Sequence, residues 1–120
     1  MAIEKHILVP DRVRRPPREG FSWVDRRFLR EFAPKLTGDT VSLYLFLAAA
    51  SDKHGLSFYA DRTIAVRLRM GEQAVIRARE ELITHDLVAY QTPLTQVLSL
   101  PAARLERGGR GLLSRHLIVH

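Results

Sequence analysis

The sequence predicts a mainly α-helical domain closed by a small β-hairpin. Three observations carry that expectation: apolar residues recur at helical spacing in four segments, capping and turn residues separate those segments, and two β-prone runs flank a proline near the end of the patterned region. With 120 residues and 46% apolar composition, there is material for one core and not for two, because chains divide into separate cores only at roughly 250 residues.

Residues 1–20 open the chain as a basic arm. Ile3–Val9 alternates in polarity, and Pro10–Gly20 sets Arg12, Arg14, Arg15 and Arg18 among Pro10, Pro16 and Pro17, whose rings fix φ and remove donors and so resist helix. Ser22 or Asp25 caps a first helix to about Phe32, with Val24, Phe28, Leu29 and Phe32 at helical spacing before Pro34 stops it. Thr37–Thr40 supplies the cap of a second helix, about Asp39 to Asp52. Its apolar residues, Val41, Leu43 to Leu47 and three alanines, occupy nearly every face, so it is expected to be the central buried helix, ending at the His54-Gly55 turn. Leu56–Tyr59 is a short extended piece.

Asp61 caps a third helix of roughly eight residues bearing Ile64, Ala65 and Leu68, and Arg69-Met70-Gly71 forms a turn. A fourth helix, Glu72 to about His85, places Val75, Ala78 and Leu82 on one buried stripe. Leu87–Tyr90 and Gln96–Leu100, joined by a loop at Gln91–Thr95 around Pro93, form the hairpin. Helix, tight turn, helix and hairpin in that order is the plan of a winged helix-turn-helix domain, here residues 21–100. Residues 101–120 are a Gly/Arg-rich extension. Its apolar end, Leu112–Val119, and the opening stretch Ile3–Val9 are candidate dimerisation segments, the alternative being that each packs on its own domain.

Several classes of function are set aside by composition. Cysteine is absent, which removes disulfides, a thiolate nucleophile and a Cys-based zinc site together. The longest nearly apolar run, Val41–Ala50, covers ten positions against the roughly 20 of a membrane-spanning helix. Glu4, Lys5 and His6, with no small-residue cleavage site behind them, do not suit a signal peptide. The expectation is a soluble, cytoplasmic, nucleoid-associated protein with no membrane partner. His116 and His120 sit four apart without acidic companions, a weak metal pair, and His54 and His85 fall at turns. Because no Gly-rich phosphate loop, paired-carboxylate site or serine elbow can be assembled, no enzyme activity, catalytic residue, metal or cofactor is expected.

Charge points to a partner. The net charge is +6, and sixteen of the nineteen basic residues are arginine, whose planar fork suits phosphates and guanine edges. The alternative is that this charge only keeps a small protein dispersed.

The stretch Thr63–Val88 resembles bacterial winged helix-turn-helix proteins. The Ile64-Ala65 pair, Leu68, Met70 in the turn, Val75 early and Leu82 late in the recognition helix, and Leu87-Val88 entering the wing fill the positions of that pattern. Upstream, Asp25–Gly55 is similar to the entry helices of winged domains in plasmid and phage replication initiators and mobile-element regulators, with Asp52-Lys53-His54-Gly55 matching their Asp-Lys-x-Gly turn. The resemblance covers about two thirds of the chain, Phe21 to Leu100. It departs from the pattern at Arg69, where glycine is usual, at Gly71, where Ser or Thr caps the helix, and in the wing Gln91–Gln96, which holds no Lys or Arg.

Turning about 100° per residue from Val75 sets Gln73, Arg77 and Thr84 outward, flanked by Ile76 and Glu80. In a major groove, Arg77 suits guanine, Gln73 suits adenine and Ile76 a thymine methyl; the alternative is an ordinary solvated face. Arg77 and Arg79 are outnumbered on this helix by Glu72, Glu80 and Glu81, so affinity has to come from elsewhere. Tyr59, Arg62, Thr63, Arg67 and Arg69 are candidates for phosphate contacts. Arg12, Arg14, Arg15, Arg18, Arg26, Arg27 and Arg30 form a denser basic segment, and its flexible Arg-Pro arm is suited to enter a minor groove, the alternative being a disordered solubilising tail. The expected function is sequence-specific double-stranded DNA binding, as a homodimer, in transcription control or in replication or transfer of a mobile element. The alternative is a protein-interaction module in a replication or partition assembly, with replication or transcription proteins as partners. A single-strand or RNA binder is less expected, because Tyr44, Phe46 and Phe58 lie in apolar contexts rather than on a stacking platform.

Overall fold

The computed structural model describes residues 3–102; Leu112–Val119, Arg104, Arg107, Arg110, His116 and His120 lie outside the described residues. Among the described residues, three α-helices and a three-stranded antiparallel sheet follow an exposed amino-terminal arm. In the arm, a single 3-10 turn, Pro10–Arg12, begins on a proline, where the missing N–H is not needed. Ile3–Val9 forms no strand and does not pack on the domain, Ile3 and Leu8 being among its most exposed side chains.

The first expected helix is altered. The Asp25 carboxylate accepts from the Arg27 N–H at 2.8 Å, as a cap should. The chain then widens into a π-helical turn, Phe28–Phe32, in which the Ala33 N–H donates to the Phe28 carbonyl five residues back. The wider register keeps Phe28 and Phe32 inward but turns Leu29 out, 60% exposed, and Val24 lies outside it. Pro34 does not end the helical path. It sits in a following 3-10 turn, Ala33–Lys35, at a first-turn position that asks no N–H of it.

Helix α1 (Gly38–Ala50) is capped by Thr37, whose hydroxyl accepts from the Thr40 N–H at 3.2 Å. Leu43, Tyr44, Leu47 and Ala48 are buried, whereas Ser42, Leu45 and Ala49 make an exposed stripe. The helix is therefore lateral rather than enclosed, because among the described residues no further layer covers that side. It stops two residues earlier than expected, and Asp52 organises the turn instead. Its Oδ1 accepts from the Leu56 and His54 N–H groups at 2.9 and 2.8 Å. Those bonds, Leu56 first, hold its carboxyl below the usual carboxylate range.

Strand β1 (Leu56–Ser57) leads to α2 (Asp61–Leu68), whose N-cap is Ala60; Asp61 does not cap and is turned to Arg79 instead. Arg69 adopts the left-handed conformation, φ 58 and ψ 46, as the Met70 N–H closes back on the Ala65 carbonyl at 2.9 Å. Helix α3 (Glu72–Thr84) follows, then β2 (Val88–Gln91) and β3 (Leu94–Val97).

The hairpin is tighter than expected. Gln91 pairs with Leu94, so the connection holds only Thr92 and Pro93, joined by a cis peptide, and β3 starts at Leu94 rather than Gln96. Thr95, placed in the loop by sequence, is a buried strand residue opposite Tyr90. The extended piece also becomes a third strand. β1 pairs with β3, giving the order β1-β3-β2. The core joins the layers: Phe28 stacks on Tyr44 with ring centroids 4.0 Å apart, beside Leu43, Ile64, Val75, Leu82 and Leu87. Among the described residues, no helix is long and apolar enough to cross a membrane.

Candidate functional site

Helix α3 divides cleanly into two faces. Val75, Ala78 and Leu82 are buried against the core, and Gln73, Arg77, Glu80 and Thr84 are exposed together on the other side. Ile76, expected to flank the outward set, is half-buried. The sequence-predicted edge is thus assembled on one rigid element.

Two charged residues on the same helix face inward and hold it. The Arg79 side chain, 8% exposed, pairs with the Asp61 carboxylate of α2, and its guanidinium lies 4.0 Å from the centroid of the Tyr90 ring on β2. One cation therefore ties both helices to the hairpin. Glu81 reaches α1: its Oε1 accepts from the Thr40 hydroxyl at 2.5 Å and the Thr37 hydroxyl at 3.2 Å. These bonds, Thr40 first, hold its carboxyl below the usual range. With Arg79 and Glu81 engaged internally, the exposed charges of α3 are Glu72, Arg77 and Glu80.

The expected phosphate contacts are distributed over α2 and its flanks. Arg62, Arg67 and Arg69 are exposed and Thr63 is half-buried. The Tyr59 ring lies edge-on to Phe46 with centroids 5.3 Å apart, leaving part of the ring open. Arg12, Arg14, Arg15, Arg18 and Arg26 are exposed. Arg27 drops out of the basic segment. It donates to Glu31 at 3.1 Å and to the Pro101 carbonyl at 2.7 Å, and lies over the Phe32 ring. Arg30 lies 3.5 Å from Glu31.

Of the three aromatics expected in apolar contexts, Tyr44 and Phe46 are in or against the core and Phe58 is not. Tyr44 is buried, but Phe58 is 68% exposed, and Phe21 and Trp23 are 72% and 74% exposed. The signal was present: Phe21 and Trp23 fall between the proline-rich arm and the first cap, where no helical phase draws them inward. Trp23 borders a groove of about 290 Å³ between the start of the first helical turn, the end of α1 and the segment after β3. Among the described residues, no three His, Asp or Glu side chains are grouped to hold a metal ion. No known protein family, curated protein or solved structure matches the chain.

Proposed function

We propose that the chain is a sequence-specific double-stranded DNA-binding protein of the winged helix-turn-helix type. In this reading α2 and α3 form the helix-turn-helix, β2 and β3 the wing, and residues 1–20 a basic arm. Arg77 contacts guanine, Gln73 adenine and Ile76 a thymine methyl in the major groove. Thr84 extends the same edge. Tyr59, Arg62, Thr63 and Arg69 contact phosphates, and Arg12, Arg14, Arg15 and Arg18 follow the backbone into the minor groove. The role is control of transcription, or of replication or transfer of a mobile element, in the cytoplasm at the nucleoid and without catalysis. A homodimer doubles the short stretch of bases that one helix reads.

One observation carries the reading: α3 leaves Gln73, Arg77 and Thr84 exposed on one side while Val75, Ala78, Leu82 and Arg79 fix the other. The test is selection from a randomised duplex pool followed by anisotropy titration. The expected outcome is a selected duplex bound at least about 10³-fold more tightly than random sequence. Arg77→Ala then costs about 1–3 kcal/mol and relaxes the preference at one guanine. Weak binding indifferent to sequence and unchanged by Arg77→Ala overturns the proposal.

A second reading, a protein-interaction module within a replication or partition assembly, is favoured by one feature. The hairpin Val88–Val97 holds no charged side chain, and Glu72 and Glu80 outnumber Arg77 on the exposed face of α3. Under it the α3 substitutions leave DNA affinity untouched and weaken a protein complex instead.

A further inference from the structure

We infer that Trp23 and the groove behind it take up unpaired DNA, with a base stacked on the indole and the arm arginines holding the adjoining phosphates. This surface is separate from α3. A duplex hides its base faces within the stack, so arginines alone serve to grip it, whereas an open indole suits a base whose face is free.

Three observations converge. Trp23 is 74% exposed and Phe21 72%, two positions apart and directly after Arg12, Arg14, Arg15 and Arg18, all exposed. Aromatic and cationic side chains along one segment are the elements of a single-strand site. The groove that Trp23 borders, about 290 Å³, falls at the small end of ligand sites, which run to roughly 300–1,000 Å³. It therefore suits one base-sized group better than a larger ligand. Its lining is also suited to a base, with Tyr44 and Leu98 contributing apolar surface and Lys53 and His54 charged or polar heads.

Two carboxylates line the same groove and repel a phosphate there, their hydrogen bonds from backbone donors notwithstanding. Asp25 accepts from the Arg27 N–H, and Asp52 from the His54 and Leu56 N–H groups. The anionic strand is assigned to the arm, whose four arginines precede Trp23 in sequence and hold the strand in place of a duplex, and the base to the groove. The choice of DNA over RNA rests on the duplex-DNA reading of α3; the stacking does not.

Trp23 is the single tryptophan of the chain, so its fluorescence reports on this site directly. The full-length protein is titrated with an oligothymidylate of about 12 nucleotides, within the usual span of a single-strand site, and in parallel with an oligouridylate and a duplex of the same length. Oligothymidylate is expected to quench the emission saturably. Trp23→Ala weakens binding of the labelled oligonucleotide by roughly 5- to 150-fold, and Trp23→Phe restores most of it. The double substitution of Arg14 and Arg15 by Ala retains the quench and flattens the salt dependence by about 0.7 for every phosphate no longer neutralised. Because Trp23 is exposed, the Ala variant is expected to unfold at the wild-type urea concentration, which separates a missing stack from a damaged fold.

Oligothymidylate binding without quenching, or with unchanged affinity in Trp23→Ala, overturns the inference. Tighter quenching by oligouridylate overturns its assignment to DNA. Saturable quenching by oligothymidylate in a protein that shows no sequence-selective duplex binding upholds the inference and sinks only the reading of α3.

Discussion

Arg77 and Arg79 stand two positions apart on one helix and have opposite surroundings, which makes them a controlled pair. Arg77 is exposed, so Arg77→Ala is expected to change stability by no more than about 0.5 kcal/mol. Asp61→Ala instead leaves the Arg79 guanidinium buried without its counter-ion. Complete burial of such a pair would put the destabilisation at about 3–5 kcal/mol; because Asp61 stays partly open to water, about 2–3 kcal/mol is expected. Urea unfolding of the two variants checks both values. The inward turn of Val75, Ala78 and Leu82 was legible from spacing. That of Arg79 was not, because a cation beside a buried stripe turns in only if a carboxylate on another helix meets it. Glu81 behaves likewise, its partners lying 41 and 44 residues earlier. Its carboxyl titrates lower when folded than its ordinary 4.5. The resulting stability is complete above the unfolded value and disappears as pH falls through the folded one. Glu81→Gln is therefore expected to unfold about 1 kcal/mol more easily at pH 7, and the gap should narrow as melts are taken to pH values below 4.5 and close beneath the folded value. A gap that persists in acid would assign the destabilisation to packing.

Elements were legible where local periodicity decides them and not where pairing with distant chain does. Helices α2 and α3 and the existence of a hairpin follow from spacing and turn residues. The π-helical turn Phe28–Phe32 does not: an ordinary α-helix also sets Phe28 and Phe32, four apart, on one face, so period counting carries no sign of the wider turn. The extended piece at β1 was legible but its pairing was not, the strand being two residues long and completed only by β3, some forty positions on. Its junction is the most exacting point of the sheet. Gly55 has φ +85 and accepts the Val97 N–H at 2.8 Å, and a Cβ there would stand 2.5 Å from the Val97 carbonyl oxygen. Gly55→Ala thus combines a left-handed strain with a backbone clash. A destabilisation of about 2 kcal/mol or more is expected, and a midpoint roughly 10 °C lower in a thermal scan. A midpoint within a degree or two of wild type would show that the β1–β3 pairing contributes little.

A folded domain that commits its best-placed cations internally must draw attraction for a polyanion from its periphery. Arg79 and Arg27 are both tied to protein partners, and the exposed face of α3 carries more carboxylate than guanidinium. If α3 selects sequence, most of the affinity has to come from the arm and from the arginines of α2. The arm is exposed throughout its described residues and none of its side chains enters the core. Its removal separates binding from folding. Deleting residues 1–18 is expected to leave unfolding by urea within about 0.5 kcal/mol of the full chain. The same deletion should reduce the slope of log K against log salt, measured on a selected duplex, by about 0.9 for each phosphate the arm neutralises, hence by roughly 3 to 4 if Arg12, Arg14, Arg15 and Arg18 each neutralise one. Preference among sequences should survive, because phosphate contacts position a protein and base contacts discriminate. An unchanged slope would place the electrostatic grip on Arg62, Arg67 and Arg69. A vanished preference with an unchanged slope would move sequence reading from α3 to the arm.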